Sequence, residues 1–233
     1  MRKISIFGSA RTLETDPDYK AAVAFSQAMA KAGWMVITGA GGGIMRAGHG
    51  GAGRSASFGV AIHLPIQTNA NEFIVGDSKL INFRYFFTHK LIFMWQAHAA
   101  ALFPGGFGTQ DEGFEALTLI QTGKAMMVPL LLIGRPGGDY WNRWDQYVRG
   151  ELLAAGRINP EDLNLYRITD GPTAAADYVQ AFYRNYHSQR FVQDVLVIRM
   201  QRPLSNAEGR CTERPIRRLD QGGPDRTGGT ARR

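Results

Sequence analysis

Cysteine is almost missing from this chain: Cys211 is the single one in 233 residues. One thiol excludes an internal disulfide and cannot assemble a cysteine-based zinc site. Its place in a Gly- and Arg-rich tail also makes it a poor nucleophile candidate. No apolar run approaches the roughly 18 residues that span a bilayer. Met1-Arg2-Lys3 opens into a strand-like run too brief for a secretory h-region, so the expected location is cytoplasmic and no membrane partner is expected. No His/Asp/Glu group has metal-ligand spacing, and nothing calls for a cofactor. The net charge is +7, but residues 201–233 hold eight Arg against four acidic residues, which is +4 and leaves +3 for the body. A mildly basic body suits anionic metabolites and gives no case for nucleic acid as a partner.

Two common nucleotide fingerprints are missing as well. A Gly-x-Gly-x-x-Gly beginning at Gly39 would need glycine where Ile44 stands. The acidic residue expected about 20 positions later, for a ribose hydroxyl, is absent from Ala61-Ile62-His63-Leu64. Gly123-Lys124 is followed by Ala125, not Ser or Thr, so there is no phosphate-binding loop of the ATPase type.

What is present is an alternation of strand-like and helix-like segments. Strands are expected at Lys3–Phe7, Trp34–Thr38, Phe58–His63, Ala99–Phe103 and Val128–Ile133. Helices are expected after Asp16-Pro17, over Ile44–Gly53, over Asn82–Gln96, from Thr109 to Thr122, and from about Tyr140. This pattern predicts an α/β, three-layer Rossmann-like fold, with a mainly parallel sheet and helices on both faces. A helix near Thr173–His187 and an apolar run at Val195–Met200 are expected to close the domain, which would cover residues 1–200. From 201 to 233 apolar periodicity disappears, and a basic, disordered tail is expected.

Three of the strands run into glycine-bearing turns: Gly8-Ser9, Gly39–Gly43 and Gly105–Thr109. In an open parallel sheet such turns share the carboxyl edge, where ligands bind near the topological switch point. The third turn is the most specific. Ala99–Phe103 leads into Pro104-Gly105-Gly106-Phe107-Gly108-Thr109, and a helix carrying Glu112 follows. Glycines let the backbone approach an anion, and a helix N-terminus offers N–H groups and a favourable dipole. Gly105, Gly106, Gly108 and Thr109 are therefore candidate phosphate ligands. Glu112 sits one turn inside as a candidate catalytic carboxylate, or alternatively as a charge complementing the dipole. Glu115 lies at i+3 on the same face, as a second acid or a salt-bridge partner.

Pro-Gly-Gly-Phe-Gly-Thr-x-x-Glu resembles the signature of the Lonely Guy (LOG) family of nucleoside 5′-monophosphate phosphoribohydrolases, whose members often carried the label lysine decarboxylase. The resemblance extends over Phe7–Arg11, Thr38–Met45, Leu117–Lys124 and Phe182–Ser188, and points to the longer bacterial branch. It implies hydrolysis of the N-glycosidic bond of a cytokinin-type nucleotide or AMP, with Glu112 catalytic, and a homodimer with sites near the interface. Ser9, Arg11, Gly41, Gly42 and Gly43 become further nucleotide ligands. Decarboxylase chemistry has no support in the residues, since no lysine is marked out as a Schiff-base former.

Two departures from the family pattern matter. The family's Arg-Lys pair reads His89-Lys90 here. Lys90 can still meet a phosphate; His89 is a candidate catalytic residue by position, or a helix-surface histidine of no consequence. It lacks the bidentate fork and is mostly neutral at pH 7, with an ordinary pKa of about 6.5. The family's Glu-Ala-Ala-Asn reads Arg46-Ala47-Gly48-His49. Arg46, near a helix start, either reaches phosphate or points to solvent. The alternative function is a carrier of nucleotide or molybdenum cofactor without turnover. Aromatics at Phe83, Tyr85, Phe86, Phe87, Phe93 and Trp95 are expected in the core or at the dimer interface, and Trp141 and Trp144 in packing.

Overall fold

The computed structural model describes residues 1–62, 70–192 and 195–204. The chain divides into two compact units, Met1–Arg184 and Asn185–Arg233.

The first unit is built on a seven-stranded sheet in the order β4-β3-β2-β1-β5-β6-β7. Its strands are β1 (Lys3–Phe7), β2 (Met35–Thr38), β3 (Ser57–Ile62), β4 (Leu80–Phe83), β5 (Ala99–Leu102), β6 (Leu130–Ile133) and β7 (Arg167–Thr169). Every neighbouring pair is parallel. Helices α1 (Pro17–Lys31), α2 (Gly43–Ala52), α3 (Phe86–Gln96), α4 (Phe107–Gln121), α5 (Tyr140–Tyr147) and α6 (Pro172–Asn185) flank it, giving the Rossmann-like α/β architecture. The chain steps outward from β1 through β4, then returns to the other side of β1 as β5. The switch point therefore lies between β1 and β5.

The central strands are buried on both faces, which is why Ala99–Leu102 and Leu130–Ile133 are continuous apolar runs without alternation. α1 starts where the sequence marks it. The Asp16 carboxylate accepts from the Asp18 N–H at 2.8 Å, and Pro17 occupies the first helical position. α1 packs tightly on α2, because a Cβ at Gly51 would stand 2.2 Å from the Val23 carbonyl oxygen.

Several expectations are corrected. The segment expected as one helix over 82–96 is a strand, a turn and then a helix. Ile81, Asn82 and Phe83 pair with Val60, Ala61 and Ile62, so sheet hydrogen bonding overrides the aromatic-rich helical pattern. β7 was not anticipated, being too short to leave a periodic signal. Val195–Met200 does not join the main sheet. As β9 it pairs antiparallel with β8 (Tyr186–Val192), and this hairpin belongs to the second unit. His63, Cys211 and the rest of the expected tail from 205 onward lie outside the described residues.

Candidate active site

Loops after β1, β2 and β5 meet at the switch point. The Ser9 N–H donates to the Pro104 carbonyl at 3.2 Å, and the Ile44 N–H donates to the Ser9 carbonyl at 3.0 Å. The approach is too close for side chains. A Cβ at Gly43, where φ is +57°, would lie 2.2 Å from the Ser9 carbonyl oxygen. One at Gly105 would lie 2.2 Å from Thr109 Oγ1 and 2.9 Å from the Ser9 nitrogen. Sequence reasoning therefore located the cluster through its glycines, and the structure brings Ser9, Gly43, Gly105 and Thr109 together.

Two helices begin at this edge. α2 has Gly42 at its N-cap and α4 has Gly106, both extended and neither with a side-chain cap. Their first-turn N–H groups consequently have no capping side chain to accept from them, the arrangement that suits an anion. Gly108 lies in the first turn of α4 and Thr109 is buried there. Arg11, by contrast, contributes through its backbone: its N–H donates to Ser9 Oγ at 3.1 Å, and its side chain is exposed.

Along α4 stand Asp111, Glu112 and Glu115. Burial pushes the Glu112 carboxyl up to about 8, the negative charges of Asp111 and Glu115 add to it, and Lys90 opposes. Glu112 accordingly holds its proton at neutral pH. Lys90, from α3, is ion-paired with Asp111 and lies 3.7 Å from Glu115. Burial disfavours its charge, but these carboxylates outweigh that and raise its pKa.

His89 is neither on the helix surface nor aimed along α4. It is buried, its Nε2 lies 2.9 Å from the Val60 carbonyl, and its ring stands edge-on to Phe83 and Phe93. Desolvation lowers its pKa, so the ring is neutral. Arg46 takes neither course foreseen for it: Glu14 and Glu72 grip its guanidinium at 2.5 Å each, and Tyr19 Oη lies at 2.8 Å. A depression of about 440 Å³ abuts Gly43, between Thr12–Thr15, Tyr19 and Arg46, and not Glu112.

Sequence reasoning missed two residues. Tyr140, at the start of α5, donates its hydroxyl to the Gly105 carbonyl at 2.6 Å and accepts from Gln110 Nε2 at 2.6 Å. Asn71 donates its side-chain amide to the carbonyls of Ala40 and Gly41, each at 3.0 Å. Neither had a local signal, since each reaches the loops from a distant segment. Among the described residues no His/Cys/Asp/Glu group could hold a metal ion, and no helix is long and apolar enough to cross a membrane.

Fold and site together define a Rossmann-like α/β protein whose glycine loops gather at the switch point, with a half-buried acid beside them. The family model described as "possible lysine decarboxylase" matches residues 42–179, more than half of the chain, and the protein belongs to this LOG-like family. Solved structures share the fold. The molybdenum cofactor binding protein from Rippkaea orientalis is 16% identical at a TM-score of 0.53, covering 78% of this chain and 96% of that one. The molybdenum cofactor carrier protein from Chlamydomonas reinhardtii is 18% identical at 0.52, covering 77% and 96%. TM1055, a structural-genomics target, is 18% identical at 0.51, covering 78% and 98%. No curated protein matches the sequence.

Proposed function

We propose that the protein is a phosphoribohydrolase that cleaves the N-glycosidic bond of a purine nucleoside 5′-monophosphate, AMP or a cytokinin-type nucleotide, releasing free base and ribose 5-phosphate. The observation that carries this reading is Glu112, a carboxylic acid that keeps its proton at neutral pH one turn inside an uncapped, glycine-led helix.

In this reading the phosphate sits on the N–H groups of Gly106, Gly108 and Thr109, with Ser9 and Gly41–Gly43 walling the other side. Lys90 supplies positive charge along α4. Anchoring the phosphate fixes the ribose, so binding energy remote from the reaction positions the anomeric carbon. The bond from that carbon to the base nitrogen breaks with its electrons going to the base, which takes the proton of Glu112. The carboxylate left behind faces an oxocarbenium-like sugar and stabilises it. Water adds to the anomeric carbon, and its proton returns to Glu112. Glu115 stays in its place beside Lys90, supporting the field and not the proton transfer.

His89 favours a second reading. Its ring is turned into the core where the family's arginine would meet substrate, and a site without that cation could bind an anionic nucleotide or cofactor without turnover. Two structural neighbours named as molybdenum cofactor proteins fit that role but share only the fold at this identity. Ribose 5-phosphate release from AMP and isopentenyladenosine 5′-monophosphate decides between the two. Turnover lost in Glu112→Gln supports the hydrolase; binding of AMP without turnover supports the carrier.

The protein would act in the cytoplasm as a homodimer. Phe87, Leu91 and Trp95 on α3 stand at i, i+4 and i+8 with 70%, 50% and 76% of their surface exposed, an apolar stripe that a second copy would cover.

A further inference from the structure

The second glycine loop contains the one described non-glycine residue with a left-handed backbone, Ala40 at φ +62°. Such a conformation persists in a residue with a Cβ only when its surroundings over-determine it. Here three groups do so. The Ala40 N–H donates to Thr38 Oγ1 at 3.0 Å, and its carbonyl accepts from the Asn71 backbone N–H at 2.8 Å. The Asn71 side-chain amide reaches the same carbonyl and that of Gly41.

Behind these contacts lies His49, fully buried on α2. Its Nε2 is 3.2 Å from the Phe58 carbonyl and 3.1 Å from Thr38 Oγ1, and its Nδ1 lies against the Asn71 amide, 3.2 Å from Nδ2 and 3.3 Å from Oδ1. A carbonyl only accepts, so the ring proton sits on Nε2, which leaves Nδ1 as an acceptor against the edge of the Asn71 amide. The two loop carbonyls, which also only accept, fix the Asn71 amide with its nitrogen toward them, and oxygen cannot replace it. Histidine stands here where the family pattern has asparagine. On the same helix Arg46, the other departure, holds Glu72, the residue after Asn71.

We propose that His49 and Asn71 form a positioning pair that sets the conformation of the Ala40–Gly43 loop for its ligand. His49 backs the Asn71 amide and holds it against the loop, and the amide holds Ala40 and Gly41 so that the Gly42 and Gly43 backbone faces the first loop. The pair touches no ligand; its effect on binding rests on the nucleotide reading above, whereas its effect on the loop does not.

The test is amide hydrogen exchange of residues 39–45, together with AMP titration, in wild type, Asn71→Asp and Ser57→Ala. The Asp side chain keeps the shape but presents oxygen to two carbonyls. Ser57 is the control: its hydroxyl is buried near His49, donating to the Gly53 carbonyl at 2.8 Å, but has no bond to the loop. Asn71→Asp is expected to speed exchange at Ala40 and Ile44 about tenfold or more and to weaken AMP to a similar degree. Ser57→Ala should leave both unchanged at an equal loss of melting temperature. His49→Gln, which can offer only one of the two ring contacts, should fall between wild type and Asn71→Asp. Unchanged loop exchange in Asn71→Asp, or equal release in Ser57→Ala, overturns the pair. Release confined to Asn71→Asp in a protein that binds no AMP supports the pair and removes the nucleotide reading instead.

Discussion

Lys90 on α3 is ion-paired with Asp111 on α4, the residue immediately before Glu112. The lysine charge is thereby partly neutralised by an exposed neighbour, while the half-buried Glu112 has its carboxyl raised to about 8. Asp111 raises the Glu112 pKa and Lys90 lowers it, so Asp111→Asn acts twice in one direction: it removes a negative charge and releases the ammonium toward Glu112. The Glu112 carboxyl should fall by on the order of one unit. Carboxyl-carbon NMR titration reads this directly, with or without turnover. An unmoved Glu112 signal would mean that burial alone sets its proton affinity.

The same acid sets a pH dependence of stability. Its folded pKa, about 8, lies above its ordinary value of 4.5. The folded state thus binds the extra proton between those values. Its contribution is complete below 4.5 and is lost as pH rises through 8. Glu112→Gln has no such proton to lose. The melting temperatures of the two proteins should agree near pH 5, separate progressively up to about pH 8 and stay apart by a constant margin beyond it, the glutamine variant then being more stable by about 1–3 kcal/mol. Parallel curves across that range would contradict the buried acid.

Much of this site was legible in the chain because glycine and acid are local signals. Gly43 and Gly105 are glycines because Ser9 leaves no room for a Cβ, and such requirements are written at single positions. Glu112 could be placed one turn into its helix from the turn that precedes it. Its elevated pKa could not, since burial depends on packing from elsewhere. Tyr140 and Asn71 stayed hidden for a related reason: each reaches a loop more than 25 residues away by a hydrogen bond that no periodicity encodes. Asn82 and Phe83 fall at the start of the expected helix but take strand form by pairing with β3, a tertiary choice.

His89 gives the third prediction. Arginine at this position would carry a permanent charge into a space lined by Phe83, Phe93 and the Val60 carbonyl. His89→Arg should therefore destabilise by about 2 kcal/mol or more, measured by urea unfolding at pH 7.5. A variant as stable as wild type, with faster nucleotide turnover, would show that the side chain can turn toward Glu112. Burial also depresses the pKa of His49, His89 and His98 below 6.5. Protons then bind the unfolded chain more readily. The histidines' contribution to stability should be full above pH 6.5 and decline on acidification below it, opposing the gain from Glu112, and His89→Phe should lose less on acidification than wild type.

The stripe on α3 yields the fourth. If a second copy covers Phe87, Leu91 and Trp95, a carboxylate at its centre must be buried on association without a partner. Leu91→Asp is expected to sediment as a monomer where wild type is a dimer, with unchanged circular dichroism. A variant of unaltered mass would place any interface on another face.

Tyr140 provides the last. Its hydroxyl bridges Gln110, on α4, and the Gly105 carbonyl, in the turn that begins that helix. Tyr140→Phe keeps the ring and its edge-on contact with Trp141 while deleting two exposed hydrogen bonds, so the fold should lose no more than about 2 kcal/mol. The loop, freed from its tether, would spend part of its time in conformations that do not bind. Apparent affinity then drops by the fraction lost, about three- to tenfold for nucleotide. The expected signature is a raised KM or Kd for AMP, with kcat preserved because Glu112 is untouched. A fall in kcat at constant KM would instead assign the hydroxyl to the chemical step.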